Sequence, residues 1–186
     1  MRKLVYHVAM TLDNYISHED GSVGGFANFM EGDHVTDYVE SLKAYDTVVM
    51  GKATYTFGYD YGLQPGQPAY PHMKHYIFSK TLQFETEPDP QVEIVRENEL
   101  EFIKQLKRGE GTDIYLCGGA TFAGFLFDHD LIDELKIKLY PLIFGRGLRL
   151  FGKSTKAVDL SFVDSKSYQT GALLLTYRLN YDSAHA

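Results

Sequence analysis

The sequence has a single cysteine, no tryptophan and fewer basic than acidic residues. Cys117 cannot form a disulfide within the chain, which fits a reducing compartment, and its apolar surroundings make it a packing residue in our interpretation. Lys and Arg number 18 against 25 Asp and Glu, giving a formal net charge of −7 at pH 7. Nucleic-acid binding needs clustered cations, and the basic residues here are scattered. The composition therefore argues against a nucleic-acid partner.

Long apolar runs are also missing. After Met1, Arg2 and Lys3, the first apolar stretch is interrupted by His7 and ends at Asp13. That stretch is too short and too polar for a signal peptide or a membrane span. We therefore expect a cytoplasmic protein without a membrane partner.

What the sequence does contain is an alternation of strand and helix patterns. Residues 4–12 are apolar and β-branched, as in a central strand, and strands alternate with helices as far as residue 127. Strand patterns then follow one another; in residues 135–140, Lys136 and Lys138 alternate with apolar side chains, which predicts one wet face. This order predicts an α/β fold with a mixed, mainly parallel sheet, antiparallel C-terminal strands and helices on both faces.

Two apolar runs end in glycine where a helix pattern begins. The first ends at Gly51, before Lys52, and the second at Gly118 and Gly119. A turn without side-chain bulk at a helix start lets backbone N–H groups approach a phosphate. Neither turn has the spacing of a P-loop or of a Rossmann fingerprint. Together they predict a long anionic ligand gripped at two points, such as a nucleotide cofactor.

Longer stretches resemble one known family. Residues 118–126 and 141–147 are similar to the reductase domain of the bacterial bifunctional deaminase-reductase of riboflavin synthesis, and to the small stand-alone proteins related to it. In the N-terminal half, residues 10–16 and 50–55 resemble the same family. The resemblance covers nearly the whole chain. It implies one domain, residues 1–186, with the dihydrofolate reductase-like fold.

The resemblance also implies NADPH, bound at three turns along the carboxyl edge of the sheet. The implied cofactor residues are Gly51, Lys52, Ala53 and Thr54 in the first turn, Ser79 and Lys80 in the second, and Gly118, Gly119, Ala120, Thr121 and Phe122 in the third. Ala9 and Ile16 are implied to line the nicotinamide pocket. Where relatives have arginine, Lys52 keeps the charge but not the bidentate fork, so we expect a preference for NADPH over NADH.

The sequence offers several candidates for the residue that would donate a proton to the substrate. Dihydrofolate reductases carry an acidic residue on the first helix, and the candidates here are Asp33, His34 and Asp37. Asp33 has an alternative role as the N-cap of that helix, and Asp37 as a solvated surface residue. A bound water is an alternative to all three residues. The glycine-containing segment 14–32 is predicted to act as a lid over nicotinamide.

The expected reaction passes a hydride to a C=N or C=O bond of a small pyrimidine-like or pterin-like substrate. The nearest named activity is reduction of the ribosylamino-pyrimidine intermediate of riboflavin synthesis. Residues 59–65 lack the Asp-Asp-Pro and following Arg of the riboflavin enzymes, so dihydropterin reduction remains an alternative. Binding of NADPH or an antifolate-like ligand without turnover is another. No metal is expected at His72 and His75. Related reductases often form dimers, so the resemblance predicts a homodimer.

Overall fold

The computed structural model describes residues 1–181, which form ten strands and four α-helices. The strands are β1 (Leu4–Thr11), β2 (Tyr15–Ser17), β3 (Thr47–Gly51), β4 (Lys74–Phe78), β5 (Val92–Val95), β6 (Ile114–Gly118), β7 (Glu134–Tyr140), β8 (Leu148–Arg149), β9 (Asp159–Ser167) and β10 (Leu173–Asn180). The helices are α1 (Asp33–Leu42), α2 (Lys52–Phe57), α3 (Glu99–Arg108) and α4 (Ala120–Asp128), with short 3₁₀ helices at Gly24–Phe29 and Gly58–Tyr61.

Eight strands join one sheet in the order β5-β4-β3-β6-β1-β7-β10-β9. The six strands from β5 to β7 are parallel to one another. β10 runs antiparallel to both β7 and β9, while β2 and β8 form a separate antiparallel pair. The mixed α/β fold with antiparallel C-terminal strands is confirmed.

Helices cover both faces of the sheet because successive side chains of a strand point to opposite sides. On β1, Leu4 and Tyr6 pack in one core with Ile103 of α3 and with α4. Val5, between them, packs in a second core with Leu42 of α1. The central strands are buried on both sides, which explains their continuous apolar sequences.

Two local predictions are wrong. Helix α1 begins at Asp33 with Gly32 as its N-cap, because the Asp33 carboxylate accepts hydrogen bonds from the backbone amides of His34 and Gln169 instead of capping. The lysine face of β7 is not open to water: Lys136 and Lys138 are only partly exposed. β7 lies between β1 and β10 in the sheet. On the lysine face, the ring of Tyr38 in α1 contacts the Lys138 ammonium.

Within residues 1–181, none of the helices combines the length and apolar character that crossing a membrane requires.

Candidate active site

The two glycine turns lie side by side at the carboxyl edge of the sheet. Strands β3 and β6 are neighbours, and Met50 of β3 pairs with Gly118 of β6. Helix α2 begins directly after β3, and α4 begins two residues after β6. A Cβ built on Gly51 would lie 3.5 Å from Cβ of Phe122, so the turns touch. The fold therefore brings together the residues of the first and third predicted cofactor turns.

The turn between β6 and α4 consists of two glycines, Gly118 and Gly119. Gly118 has a φ of +127°, a conformation that side-chain-bearing residues rarely adopt, and its peptide bond to Gly119 is cis. A Cβ on Gly119 would lie only 3.0 Å from Oγ1 of Thr54. The two glycines place no side chain beside the start of α4, where N–H groups without helical partners favour an anion.

The predicted Lys52 and Lys80 lie at the outer end of this edge. The Lys52 ammonium donates to Oγ1 of Thr81 at 3.3 Å, across the turn that follows β4. Ser79 acts inside that turn, because its hydroxyl oxygen accepts hydrogen bonds from the amides of Thr81 and Leu82 at 3.2 and 2.9 Å. The cations of Lys52 and Lys80 both remain exposed.

Arg96 is a third exposed cation at this edge, and sequence reasoning missed it. It follows β5, and its guanidinium donates to the backbone carbonyls of Lys80 at 3.4 Å and Leu82 at 2.9 Å. The sequence carries no local signal for Arg96, because only the strand pairing shows that β5 ends at the same carboxyl edge as β3, β4 and β6. Three exposed cations therefore follow three neighbouring strands at this edge.

The two predicted nicotinamide positions lie nearer the middle of the molecule. Ala9 is on the central strand β1 and remains partly exposed, although most of β1 is buried. Ile16 is on β2 and packs against the core of the α3 and α4 face. Ala9 pairs with Lys138 on β7. Ala9 also packs against the aromatic cluster that contains Phe26 and Tyr140.

The segment after β1 is held down by Asp13 and by aromatic packing. The Asp13 carboxylate accepts hydrogen bonds from the Thr11 hydroxyl and from the amides of Phe144 and Gly145, which lower the pKa of Asp13 against the opposing effect of desolvation. Phe26, in the middle of residues 14–32, is buried against the Phe144 ring, with 5.3 Å between ring centres. The predicted lid is thus packed here against the loop that follows β7; its opening remains a prediction.

The three predicted proton donors face the β9–β10 connection. Asp37 forms an ion pair with Lys166, whose hydrogen bond lowers the pKa of Asp37, and it accepts a hydrogen bond from the Tyr168 hydroxyl at 3.1 Å. His34 is buried, with Nε2 2.9 Å from the Phe29 carbonyl oxygen and Nδ1 3.2 Å from the Thr170 hydroxyl. Asp33 is bonded to backbone amides, as described above. In the described part of the chain, none of the three hydrogen-bonds a predicted cofactor residue, and their catalytic role remains a prediction.

A polar cluster that the sequence did not reveal lies on the sheet face under α1. The hydroxyls of Tyr38 and Tyr115 are 2.8 Å apart, and the Tyr70 hydroxyl lies 3.7 Å from Sγ of Cys117. The backbone amide of Tyr70 donates to Nε2 of His75 at 3.1 Å, which fixes the Tyr70 position. Burial raises the pKa of the Cys117 thiol and that of Tyr38, the latter to about 12, so both stay protonated at neutral pH.

The sequence matches the family model described as the RibD C-terminal domain over residues 2–174. YwjB of Bacillus subtilis (strain 168), named as an uncharacterized protein, is 29% identical over 167 residues. The match covers 90% of this chain and 92% of that protein.

Solved structures share the fold. A Shewanella sp. PV-4 protein provisionally named for riboflavin biosynthesis has a TM-score of 0.79 and 23% identity, covering 97% of this chain and 99% of that one. The diaminohydroxyphosphoribosylaminopyrimidine deaminase/5-amino-6-(5-phosphoribosylamino)uracil reductase of Thermotoga maritima has a TM-score of 0.69 and 17% identity, covering 96% and 57%. Dihydrofolate reductase from Enterococcus faecalis, solved with NADP(H), has a TM-score of 0.66 and 17% identity, covering 96% of each chain.

The dihydrofolate reductase-like fold is thereby confirmed. The family match extends over most of the sequence, and the resemblance found in the glycine turns lies inside it. The chain belongs to the RibD C-terminal domain family, which is related to the reductases of riboflavin biosynthesis.

Proposed function

We propose that the protein is an NADPH-dependent reductase of a small heterocyclic substrate. The observation that carries the proposal is the contact between the two glycine turns at the carboxyl edge of the sheet. In open α/β sheets, ligands bind at this edge, and a nucleotide needs close backbone approach at its phosphates. Gly118 and Gly119 place no side chain at this point. Thr54 lies so close that a Cβ on Gly119 would be only 3.0 Å from its Oγ1.

In this proposal, each part of the cofactor would contact residues of this edge. Gly118, Gly119 and the start of α4 would hold the pyrophosphate, and Ala9 would line the nicotinamide pocket. Lys52 and Lys80, joined by Arg96, would hold the 2′-phosphate by charge. Bound in this way, the cofactor supplies a hydride, and the protein orients the substrate and excludes water.

The substrate class is a pyrimidine-like or pterin-like ring with a reducible C=N or C=O bond. The nearest activity is that of the 5-amino-6-(5-phosphoribosylamino)uracil reductases to which the family is related. A dihydropterin is the second candidate, and the similarity to a dihydrofolate reductase solved with NADP(H) favours it. A non-catalytic NADPH or antifolate-like ligand sensor is the alternative from another class.

Turnover separates these possibilities. The purified protein should be saturated with NADPH and offered 5-amino-6-(5-phosphoribosylamino)uracil, 7,8-dihydrofolate and a panel of simple carbonyls and imines. Loss of the reduced-nicotinamide absorbance with one of them supports the reductase and names its substrate class. Tight NADPH binding without oxidation across the panel would favour the sensor, whereas failure to bind NADPH would contradict both.

A further inference from the structure

Lys138 is a cation without a carboxylate partner in the interior of the molecule. It lies on β7, in register with Ala9 of β1, and is only partly exposed. Its ammonium lies 3.2 Å from the centre of the Tyr38 ring. Among residues 1–181, Lys136 on the same strand pairs with Glu134 at 3.7 Å, but no ion pair includes Lys138. Desolvating a cation without a counter-ion is costly, which suggests that a ligand completes its surroundings.

The carboxylates on the elements that pack around Lys138 are paired with other cations: Glu134 of β7 with Lys3 and Lys136, and Asp37 of α1 with Lys166. Other titratable and charged groups on this face come from β1, β6, β7, α1 and the loop before β4: His7, Tyr115, Cys117, Lys136, Tyr140, Tyr38 and Tyr70. His7 is 2% exposed, and neither ring nitrogen has a hydrogen-bond partner. The ring is kept neutral because burial, with Lys138 and Lys136 nearby, lowers its pKa well below the usual range.

This cluster adjoins the proposed cofactor site. Cys117 directly precedes the Gly118 turn, and Ala9 pairs with Lys138 across β1 and β7. Cys117, Ala9 and Lys138 are all partly exposed, whereas Val5 and Tyr115 beside them are buried. A substrate that faces the nicotinamide beside Ala9 would therefore lie next to the Lys138 ammonium.

We propose that Lys138 donates the proton that accompanies hydride transfer, delivering it from Nζ to the nitrogen or oxygen of the substrate's reducible double bond. The inference rests on the proposed function, which supplies the hydride. The substrate carbon gains a hydride from the reduced cofactor and the neighbouring nitrogen or oxygen gains a proton, so the π bond breaks as one C–H bond and one N–H or O–H bond form. The cofactor leaves oxidised, and the neutral amine regains a proton from water.

The local environment suits this task. Burial lowers the pKa of Lys138 to about 8, close to the range in which a general acid is both protonated and able to release its proton. Asp37, by contrast, has a lowered pKa and an ion pair with Lys166, so it is a poor acid at neutral pH. A cation at this position also favours a substrate that offers a lone pair or a carbonyl oxygen, and disfavours an already protonated diaminopyrimidine.

The test compares Lys138→Met and Lys138→Arg with Lys136→Met, a matched loss of charge two residues away on the same face. With a panel substrate that the wild type reduces, Lys138→Met should lower kcat about 100-fold or more while the Kd for NADPH is unchanged. Lys138→Arg keeps the positive charge, so KM should stay within about threefold of the wild-type value. Because arginine is too weak an acid to donate the proton, kcat should fall. Wild-type kcat should decline as the pH rises through about 8, and this limb should vanish in the arginine variant.

A second arm needs no substrate. Competitive acetylation with peptide mass spectrometry should give Lys138 a reactivity midpoint near pH 8 in the folded protein. In urea the midpoint should return to about 10.4. A folded midpoint equal to the unfolded one, or a Lys138→Met turnover no lower than that of Lys136→Met, would overturn the proposal.

The two arms separate this inference from the proposed function. If calorimetry detects no NADPH binding, the proposed function fails and the proton-donor role fails with it, whatever the acetylation midpoint. If NADPH binds and is oxidised but Lys138→Met is fully active, only the Lys138 role fails. If NADPH binds but no panel compound is reduced, the sensor is favoured and the proton-donor role fails with the reductase assignment.

Discussion

Lys52, Lys80 and Arg96 illustrate how much of the proposed site depends on single side chains. All three are exposed, and each leaves the sheet from a different loop. Exposed cations contribute little to folding stability, but a phosphate bridging them gains charge-assisted hydrogen bonds. Their effect should therefore appear in cofactor choice more than in the stability of the fold.

Lys52→Met should weaken NADPH binding about tenfold and leave NADH binding nearly unchanged, because the two cofactors differ only in the 2′-phosphate. Fluorescence titration with each cofactor measures the ratio. Lys43→Met, which removes an exposed lysine paired with Glu40 on α1, is the control and should change neither affinity. An equal loss for both cofactors in Lys52→Met would contradict a phosphate role for Lys52.

Some of the proposed site residues could be predicted from the sequence, and others could not. Lys52 follows a glycine turn, and the family resemblance implies its cofactor role. Arg96 and Lys138 have no such pattern. Arg96 reaches the site because β5 adjoins β4, and Lys138 because β7 adjoins β1. Alternating charges on β7 resemble a solvated face in the sequence, and only the three-dimensional structure shows that Tyr38 of α1 contacts Lys138 there.

At the scale of elements, the strand-to-helix turns were predictable and their contact was not. Apolar runs ending in glycine predict each turn separately, and the structure has both where expected. Their contact follows from β3 pairing with β6, two strands that are far apart in the sequence. The glycine-containing segment 14–32 includes β2 and a 3₁₀ helix that its sequence does not indicate, because Phe26 and Ile16 find apolar partners elsewhere in the fold.

Gly51→Ala tests whether the turn after β3 serves a ligand or the fold. Gly51 has a φ of −79°, and a Cβ there would make an ordinary 3.5 Å contact with Phe122, so alanine should be tolerated. We expect the Tm to change by only about 1–2 °C while NADPH binding weakens about tenfold or more.

The control for that experiment is Gly109→Ala at the end of α3, where a Cβ would lie 3.4 Å from the Leu106 carbonyl oxygen. It should leave NADPH affinity unchanged. Parallel losses of stability and affinity in Gly51→Ala would indicate that the turn has a structural role instead.

For the molecule as a whole, the exposed edge strand of the sheet is the feature that bears on assembly. Strand β9 is the outermost strand beyond β10, and its exposed apolar side chains include Leu160 at 44%, Phe162 at 63% and Val163 at 45%. Exposed apolar edge strands are sites of association between chains. This supports the predicted homodimer, which we propose forms through β9.

Phe162→Glu should convert the dimer to a monomer, because it places a charge in the proposed interface. Light scattering at micromolar concentration measures the mass of wild type and variant. Lys153→Glu, an exposed charge reversal outside β9, should remain dimeric. A monomeric wild type, or a Phe162→Glu protein that stays dimeric, would contradict the β9 interface.

The direct test of the whole account is calorimetric titration of the pure protein with NADPH and with NADP⁺. The apposed glycine turns and the three cations predict saturable binding with one site per chain, at a Kd of about 100 μM or tighter. NADH should bind more weakly. If millimolar NADPH and NADP⁺ both give no heat of binding, the assignment of this edge of the sheet to a dinucleotide is wrong.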